Sequence, residues 1–289
     1  MSDQIQIAVI GGSGLYNMPE LSDVQKLHIP TPFGNPSGEI VIGTLRGKRV
    51  AFLPRHGVGH IFSPTTVPYK ANIYALKTLG IRFIIGVNAC GSLKEEYAPG
   101  NIVIPDQLFD YTNSRDRSFF GTGMVAHVGV AEPYCPELCE VVYQAVQKVS
   151  GTVHKGGTFL IEEGPRFATR AESLIFKQWG CSLIGMTTCP EAFLVREAEI
   201  AYATMAHVTD YDSWHITEEP VTVEMVMSTF HHNIEIAQKA LATAVEMLDA
   251  SAEYACHSAL ANAIMTDRSQ ISAKMIETLK PIVGRYFTS

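Results

Sequence analysis

Residues 185–214, GMTTCPEAFLVREAEIAYATMAHVTDYDSW, constrain the fold more than any other part of the chain. A turn of small donor residues opens this stretch, and Pro190 follows at a position that suits the first turn of a helix. Residues 200–209 are apolar and rich in β-forming residues, and the run stops at Asp210 and Asp212. The pattern predicts a strand end, a donor turn, a short helix and a buried strand. That strand would carry two carboxylates at its C-terminal end, where open α/β sheets bind ligands.

The two aspartates have a simpler interpretation as a solvated turn, because Asp is common in turns. On this stretch alone that interpretation is the stronger one. Other segments of the chain favour a binding site, since they supply donors and cations that fit the same place. The argument for a site therefore depends on those segments.

Composition limits the classes of protein to which the chain can belong. The 289 residues are 46% hydrophobic and 18% charged, which is typical of a soluble globular protein with a large core. No apolar run approaches the roughly 18 to 20 residues of a membrane span, and the N-terminus lacks the basic region of a signal peptide. The net charge of −7, with scattered Lys and Arg, argues against a nucleic-acid partner. With no linker or repeat, we expect one domain over residues 1–289.

The six cysteines show neither a paired CxxC motif nor the Cys/His spacing of a zinc site. In a chain of this length they are most simply reduced thiols, which predicts a cytoplasmic protein without a metal centre. The cysteines are Cys90, Cys135, Cys139, Cys181, Cys189 and Cys256.

A glycine-rich turn follows the first apolar run. Residues 5–10 predict a strand, and the sequence GGSG comes directly after it. A dinucleotide-binding GxGxxG motif starting at Gly12 would need glycine at Asn17, and no acidic residue ends a second strand about 20 residues later. A turn that wraps a small anion, with the Ser13 hydroxyl as an extra donor, fits better. A plain tight turn remains an alternative.

Two more predicted strands end in groups that suit an anion. Residues 50–54 lead into Arg55, His56 and His60, where glycines permit close backbone approach and the Arg fork suits phosphate oxygens. A basic surface loop is the alternative there. Residues 82–87 lead into the small-residue sequence NACGSL, which predicts a third donor turn. The repetition favours an anion site.

The remaining pattern predicts the frame around this site. A long segment, residues 110–131, has no clean period and contains three glycines, which predicts a functional or interface loop. The apolar stripe in residues 221–248 is by default core. We predict strands at residues 101–105 and 158–162, and helices at residues 69–79, 137–149, 169–179, 221–248 and 271–282.

Six motifs together carry a resemblance. GGSGLY, RHGVGH, NACGSL, EGPRFATRAE, GMTTCPEA and TDYD, in this order, resemble the 5′-methylthioadenosine phosphorylases of the trimeric purine nucleoside phosphorylase family. The likeness covers roughly residues 5–250 and leaves about 250–289 as a C-terminal helical tail outside it. It implies a single α/β domain with a mixed, partly barrel-like central sheet flanked by helices, assembled as a homotrimer.

The resemblance also implies roles for individual residues. Phosphate would be held by Ser13, Arg55, His56, Thr187 and the backbone of Ala89, with His60 nearby. Asp210 and Asp212 would face the N7 and N6 edge of adenine. The rest of the nucleoside would be bound by Phe167 at the purine, Met186 at the ribose, Val223, Val226 and Met227 at the 5′-methylthio group, and His127 from the neighbouring subunit.

Two positions depart from the family pattern. Asn88 stands where relatives often have Thr or Ser beside phosphate, and an amide there can still donate a hydrogen bond. Gly185 stands where some relatives have Asn near the base, so recognition by that side chain is lost.

The implied reaction is phosphorolysis of methylthioadenosine to adenine and 5-methylthioribose 1-phosphate, in purine and methionine salvage. Phosphate is a co-substrate, so no metal or organic cofactor is expected. Asp210 would protonate N7, which requires a neutral carboxyl; burial beside a second carboxylate raises a pKa in that direction. A nucleoside hydrolase and a non-catalytic nucleoside-binding protein are the alternatives. The breadth of 5′ substituents stays open.

Overall fold

A computed structural model of the chain describes residues 4–149, 152–215 and 222–287; the side chains at 13, 16 and 225–233 are outside its description. The strands are β1 (Ile7–Gly11), β2 (Ser22–Leu27), β3 (Ile40–Leu45), β4 (Lys48–Pro54), β5 (Phe83–Ser92), β6 (Ile102–Ile104), β7 (Gln107–Tyr111), β8 (Val153–Lys155), β9 (Thr158–Glu162), β10 (Leu183–Gly185) and β11 (Ala201–Asp210). The α-helices are α1 (Tyr69–Thr78), α2 (Pro136–Val149), α3 (Arg170–Gln178), α4 (Thr188–Glu197), α5 (Val223–Met247), α6 (Ala273–Thr278) and α7 (Lys280–Val283).

The described strands form one mixed sheet that branches at β5. Its main path runs β2-β3-β4-β1-β5-β10-β9-β7, and β11 leaves it at β5 to pair with β6, which pairs with β8. Strands β4, β1, β5 and β11 run parallel to their neighbours in this group, whereas β10 pairs antiparallel with the end of β5. This confirms the predicted α/β domain with a mixed central sheet and flanking helices; the sheet is not closed.

Strand β5 contains the largest departure from the sequence prediction. The segment NACGS was expected to be a turn, but residues 88–92 continue the strand between β10 and β11. Close packing explains the small residues. A Cβ on Gly91 would lie 3.0 Å from Asp210 Oδ1 and 3.1 Å from both Asp212 Cβ and Ile184 Cγ2. Glycine is therefore needed at this position for close approach rather than for a turn.

The sheet centre is buried on both faces, which its continuous apolar runs predict. Phe83, Ile84 and Ile85 of β5 are all 0% exposed, and every residue of β11 is buried. Full burial of such side chains contributes about 1.5–3 kcal/mol each. This rigid centre fixes the positions of the polar groups at the strand ends. The strands β2, β3 and β8, and β7 up to residue 109, were not predicted from the sequence.

The helix predicted over residues 271–282 is two short helices in the structure. Pro281 lies in the first turn of α7 and cannot donate to the preceding turn, so α6 ends before it. Leu279, Ile282 and Val283 are nonetheless buried in the core of their own chain. Tyr74 Oη of α1 also donates to the carbonyl of Thr278 at 2.8 Å.

The predicted long loop begins two residues later than expected, because β7 includes residues 110 and 111. Further on, this loop pairs with the C-terminal tail. Ala126 and Ile264 form an antiparallel bridge, and the His127 N–H donates to the carbonyl of Ala263 at 2.8 Å. The Met265 N–H donates to the carbonyl of Val125 at 2.9 Å. The tail thus holds the loop segment that carries His127. Across the described ranges, no helix has the length and hydropathy needed to cross a bilayer.

Candidate active site

Parallel strands bring several predicted site residues to one edge of the sheet. Gly11 ends β1, Arg55 follows β4, and Asp210 ends β11. The Arg55 N–H donates to the carbonyl of Gly11 at 2.9 Å, so the glycine turn and the basic loop are tied together. Ser13 begins a 3-10 helix directly after this turn; its hydroxyl lies outside the described side chains.

The guanidinium of Arg55 is buried and forms an ion pair. Its Nε donates to Glu191 Oε2 at 2.7 Å and its Nη2 to Glu191 Oε1 at 2.8 Å. Nη1 donates to the carbonyl of Val87 at 2.9 Å. Val87 is the first residue of β5 beyond its pairing with β1, which ends at Gly86. Burial by itself lowers the pKa of Arg55, but the Glu191 carboxylate outweighs it and raises the pKa above its usual value. The cation is thus permanently charged and fixed in orientation.

Two histidines stack beside Arg55. The rings of His56 and His60 are 4.2 Å apart at an angle of 9°, and His56 Nδ1 lies 2.9 Å from the carbonyl of Phe62. A carbonyl only accepts, so Nδ1 carries the proton and Nε2 is an acceptor in the neutral ring. Burial, opposed by the Phe62 carbonyl and reinforced by the charge of Arg55, lowers the pKa of His56 to about 4.

Asn88 links β5 to the start of α4. Asn88 Nδ2 donates to Thr187 Oγ1, just beyond the end of β10, at 2.7 Å. Thr204 Oγ1 donates to Asn88 Oδ1 at 2.5 Å and so fixes the amide. Asn88 is 3% exposed, whereas Ala89 beside it is half-buried. The amide therefore orients the Thr187 hydroxyl.

Asp210 and Asp212 are buried carboxyls, not a solvated turn. Each is 6% exposed. Asp210 Oδ2 accepts from Thr209 Oγ1 at 2.7 Å and Oδ1 accepts from the Asp212 N–H at 2.9 Å. Burial raises the pKa of Asp210 to about 6, helped by the charge of Asp212 and opposed by Thr209. Burial also raises the pKa of Asp212.

One oxygen of Asp212 is enclosed without a hydrogen bond of normal geometry. This oxygen is Oδ2. The Ser173 hydroxyl of α3 faces the carboxyl and partly offsets the rise in pKa. An enclosed, unsatisfied acceptor is costly and typical of a site that a ligand completes.

Glu162 adds a third buried carboxyl that the sequence analysis did not identify. It ends β9 and is 8% exposed. Burial, and then the charge of Asp212, raise its pKa to about 8. The sequence EEGP, with two acidic residues at a predicted strand end, was the available signal, and no role was considered for it.

Arg115 is a second residue that the sequence analysis missed. It lies in the long loop, yet its side chain is 1% exposed. Nη1 donates to the carbonyls of Met186 and Cys189, both at 2.6 Å, and Nη2 donates to the carbonyl of Glu163 at 2.7 Å. It therefore holds the donor turn at the start of α4. Nothing in the sequence around it distinguishes it from a surface Arg. Glu191 was also missed, although it lies within the motif GMTTCPEA.

Gly185 explains one departure from the family pattern. A Cβ there would lie 2.9 Å from the ring of Phe159, so the position has no room for a side chain. Phe167, predicted to contact the purine, is half-buried in the connection between β9 and α3. A Cβ on Gly164, at the start of that connection, would lie 2.7 Å from Met186 Sδ. The EGPRF segment and the Met186 turn are therefore in direct contact.

The residues predicted around the 5′ group are only partly described. Val223 begins α5 and is 68% exposed in the isolated chain. Val226 and Met227 continue the same helix, but their side chains lie outside the described ones. His127 is exposed on the loop that the tail holds. The strand ends thus bring several of the residues predicted to hold phosphate and the base to one edge of the sheet, while His127 lies on the surface.

Comparison with known proteins agrees with this arrangement. The family model of the phosphorylase superfamily matches residues 6–246. The S-methyl-5′-thioadenosine phosphorylase of Chloroflexus aurantiacus is 50% identical over 98% of both proteins, and that of Geobacter sulfurreducens is 49% identical over 97% of this chain and 98% of that protein. The similarity therefore extends into the tail, beyond the motifs that carry the resemblance.

Solved structures are similar over the same length. A methylthioadenosine phosphorylase from an Antarctic soil metagenomic library superposes with a TM-score of 0.93, at 44% identity over 97% of this chain and 99% of that one. The methylthioadenosine phosphorylase of Schistosoma mansoni in complex with adenine superposes with a TM-score of 0.80, at 35% identity over 86% of this chain and 94% of that one. This chain belongs to the phosphorylase superfamily and, within it, to the family of the S-methyl-5′-thioadenosine phosphorylases.

Proposed function

We propose that this protein catalyses the phosphorolysis of S-methyl-5′-thioadenosine, giving adenine and 5-methylthioribose 1-phosphate for salvage. The observation that carries the proposal is the position of a buried carboxyl pair, Asp210 and Asp212, at the strand edge that also carries Arg55 and the Asn88–Thr187 hydrogen bond. A carboxyl pair suits the amino edge of adenine, and fixed donors beside a permanent cation suit phosphate.

The reaction requires one bond to form and one to break. A phosphate oxygen attacks C1′ while the bond from C1′ to N9 breaks, and the electron pair of that bond passes to the purine. Asp210 delivers a proton to N7, so the base leaves neutral. With a pKa of about 6 in the unliganded protein, Asp210 is partly protonated near neutrality, and a bound purine that excludes water favours the neutral form further.

Phosphate is assigned to groups that follow β1, β4 and β10 and to one backbone group within β5. These are Ser13, Arg55, His56, Thr187 and the backbone of Ala89, with His60 next to them. His56 Nε2, as an acceptor, suits a protonated phosphate oxygen. Catalysis then consists of positioning the nucleophile and stabilising an oxocarbenium-like transition state by the phosphate charge. We expect no metal or organic cofactor, because phosphate is itself the co-substrate.

The adenine site is assigned to Asp210, Asp212 and Phe167, with the Met186 backbone at the ribose. One oxygen of Asp210 donates to N7 and the other accepts from the N6 amine. Val223, Val226 and Met227 are assigned to the 5′-methylthio group. An apolar pocket discriminates by only about 1–3 kcal/mol for one apolar group, so adenosine is expected to be a slower substrate.

Self-association is part of this proposal: a homotrimer in which His127 completes the site of the neighbouring subunit. His127 is exposed in the isolated chain. An apolar patch on β7 and α3, whose members are between 40% and 54% exposed, supports a protein contact. This patch consists of Phe109, Tyr111, Leu174, Ile175 and Trp179. The six buried free thiols favour a cytoplasmic location.

One panel of substrates tests the proposal against its alternatives. Methylthioadenosine, adenosine, methylthioinosine and inosine are each incubated with the protein, with and without phosphate, and base release is measured. We expect release that depends on phosphate and is fastest with methylthioadenosine. Release without phosphate would identify a hydrolase, and binding without any release would identify a nucleoside-binding protein. Sedimentation of a fully active monomer would contradict the assignment of His127.

A further inference from the structure

Glu162 is a buried carboxyl to which the mechanism above gives no role. Across the described side chains, its carboxyl meets no hydrogen-bond donor and no cation at ion-pair distance. The hydrogen bond that it receives, from Arg115 Nη2 at 3.3 Å, ends on its backbone carbonyl. Burying a carboxyl at 8% exposure without a partner is costly. Its presence at a strand end of the site therefore requires an explanation.

The sheet places Glu162 beside the base residues. Leu160, two residues earlier and hence on the same face of β9, pairs with Ile184 of β10. On this face Ile184 packs against Gly91, where Asp212 also packs. The carboxyls of Asp212 and Glu162 therefore flank the end of β10 from its two sides. Phe167 follows Glu162 by five residues in the chain.

We propose that Glu162 is a third carboxyl of the base site and binds the N1 and N6 edge of adenine as an uncharged acid. The inference rests on the proposed function. A neutral acid carries one O–H donor and one carbonyl acceptor, which match N1 and the second N6 hydrogen. Its ionised form offers only acceptors and repels the lone pair of N1. Asp210 keeps its assignment to N7 and the first N6 hydrogen.

The charges around Glu162 favour the uncharged form. Burial is the largest cause of its raised pKa; Asp212 at the end of β11 and Glu172 on α3 add to the rise, while Arg166 in the connecting segment opposes it. Arg166 is itself paired with both oxygens of Glu172, at 2.8 and 2.7 Å. With a pKa of about 8, Glu162 retains its proton at neutral pH, where Asp210 is already losing its own.

Binding of adenine without phosphate tests the inference separately from turnover. We would measure the Kd of adenine by calorimetry between pH 6.5 and 9 for the wild type, Glu162→Gln and Glu162→Met. The amide in Glu162→Gln keeps a donor and an acceptor but cannot ionise. The Kd of the wild type should rise by up to about tenfold per pH unit above pH 8, relative to Glu162→Gln at the same pH. Ionisation of Asp210 affects both proteins and cancels in this ratio.

A second ligand tests the contact with N1 in the wild type itself. In 1-deazaadenine a C–H replaces N1, so the wild type should bind it about 2- to 10-fold more weakly than adenine at pH 7. The same ratio should hold in Glu162→Gln and approach one in Glu162→Met. Exposed Glu246→Gln serves as the matched control and should behave as the wild type. A ratio of one in the wild type, or parallel pH profiles for the wild type and Glu162→Gln, would overturn the inference alone. Failure of the wild type to bind adenine at any pH would overturn the proposed function as well.

Discussion

Arg55 and Glu191 form a two-pronged ion pair between the loop after β4 and the first turn of α4, with both N–O distances below 3 Å. The side chains are 3% and 1% exposed, and Tyr202 Oη donates to Glu191 Oε1 at 2.6 Å. Buried pairs of this kind add little net stability, because desolvation offsets the attraction. The pair instead fixes the orientation of the cation at the proposed phosphate site.

Glu191→Gln is therefore expected to be strongly destabilising. The amide keeps the shape of the side chain but leaves Arg55 as an uncompensated buried charge, at a cost of about 3–5 kcal/mol. Urea unfolding measures the change. Glu246→Gln removes an exposed partner of Arg46 and should stay within about 0.5 kcal/mol of the wild type. Equal stability of the two variants would show that the buried pair is dispensable.

Asn88→Ala should weaken phosphate binding more than nucleoside binding. It removes the donor that orients Thr187 and one of the two acceptors near the Thr204 hydroxyl, which keeps the carbonyl of Gly86 at 3.2 Å. The lost hydrogen bonds cost about 0.5–1.5 kcal/mol each. Steady-state kinetics should show a several-fold higher KM for phosphate. Asn72→Ala is the control for stability, because Asn72 is equally buried and its side chain accepts from the Ser37 N–H. A rise in nucleoside KM alone would contradict the role given to Asn88.

Asp210→Asn should lower the kcat for methylthioadenosine, because an amide can donate to N7 but cannot transfer a proton to it. The amide nitrogen also suits O6 of a 6-oxopurine, so relative preference should move toward methylthioinosine. The measurement is the ratio of kcat/KM for methylthioinosine over methylthioadenosine. Asp212→Asn added to this variant should raise the ratio further. An unchanged ratio in a folded variant would mean that Asp210 does not contact the purine edge.

Stability should fall as the pH rises from 6.5 to 8. Burial raises the pKa of Glu162 to about 8 and that of Glu197 to about 7, so the folded state holds these protons more tightly than the unfolded state. Their stabilising contribution is complete below pH 4.5 and is lost as the pH passes the folded values. We expect a loss of about 1–3 kcal/mol over this window. Glu162→Gln should flatten the decline, and identical profiles for variant and wild type would contradict the burial of a neutral Glu162.

Arg115→Lys should disturb the donor turn although it keeps the charge. An ammonium cannot reproduce a fork that reaches the carbonyls of Met186, Cys189 and Glu163 together. Each buried carbonyl left without a donor costs about 1–3 kcal/mol, so a lower Tm is expected. The KM values for methylthioadenosine and phosphate should rise. Arg117→Lys, in the same loop but 40% exposed, is the control. If the two variants melt and turn over alike, the turn does not depend on Arg115.

The strands at the centre of the sheet were predictable because they are buried on both faces; the buried apolar strand β3 carries the same signal and was missed. β1, β4, β5 and β11 appear in the sequence as continuous apolar runs, and the carboxylates and cations that follow them reach the sheet edge as expected. The edge strands were not predictable, because β2 is exposed along most of its length and carries no apolar alternation. The segment NACGS was predicted to be a turn because small residues are common in turns. In the structure Gly91 is small because residues of β10 and β11 pack closely against it, and the local sequence does not show that contact.

The sequence predicted residues that would contact the ligands, but not the residues that hold them in position. Motifs identified Arg55 and Asp210. Glu191 lies within the motif GMTTCPEA and Arg115 in a loop outside the motifs, and the local sequence does not show which groups either residue contacts. Their function depends on long-range pairing, 136 residues apart for Arg55 and Glu191 and 71 for Arg115 and Met186. Glu162 stands directly before the motif EGPRFATRAE, and only burial distinguishes it from an acidic turn residue.

The bridge between Ala126 and Ile264 has a consequence for an assembled protein. In the proposed trimer, each His127 serves the neighbour, so the tail of one subunit would support catalysis in the next. A substitution in the tail would then impair the active site of the neighbouring subunit, whereas a substitution of Asp210 would impair the active site of its own subunit. Mixed assemblies of two inactive variants, one altered at residues 263–266 and the other at Asp210, would regain activity at those sites where an intact Asp210 meets an intact neighbouring loop. A defect in the C-terminal tail of one subunit could in that case be complemented by an intact tail on another subunit of the same trimer.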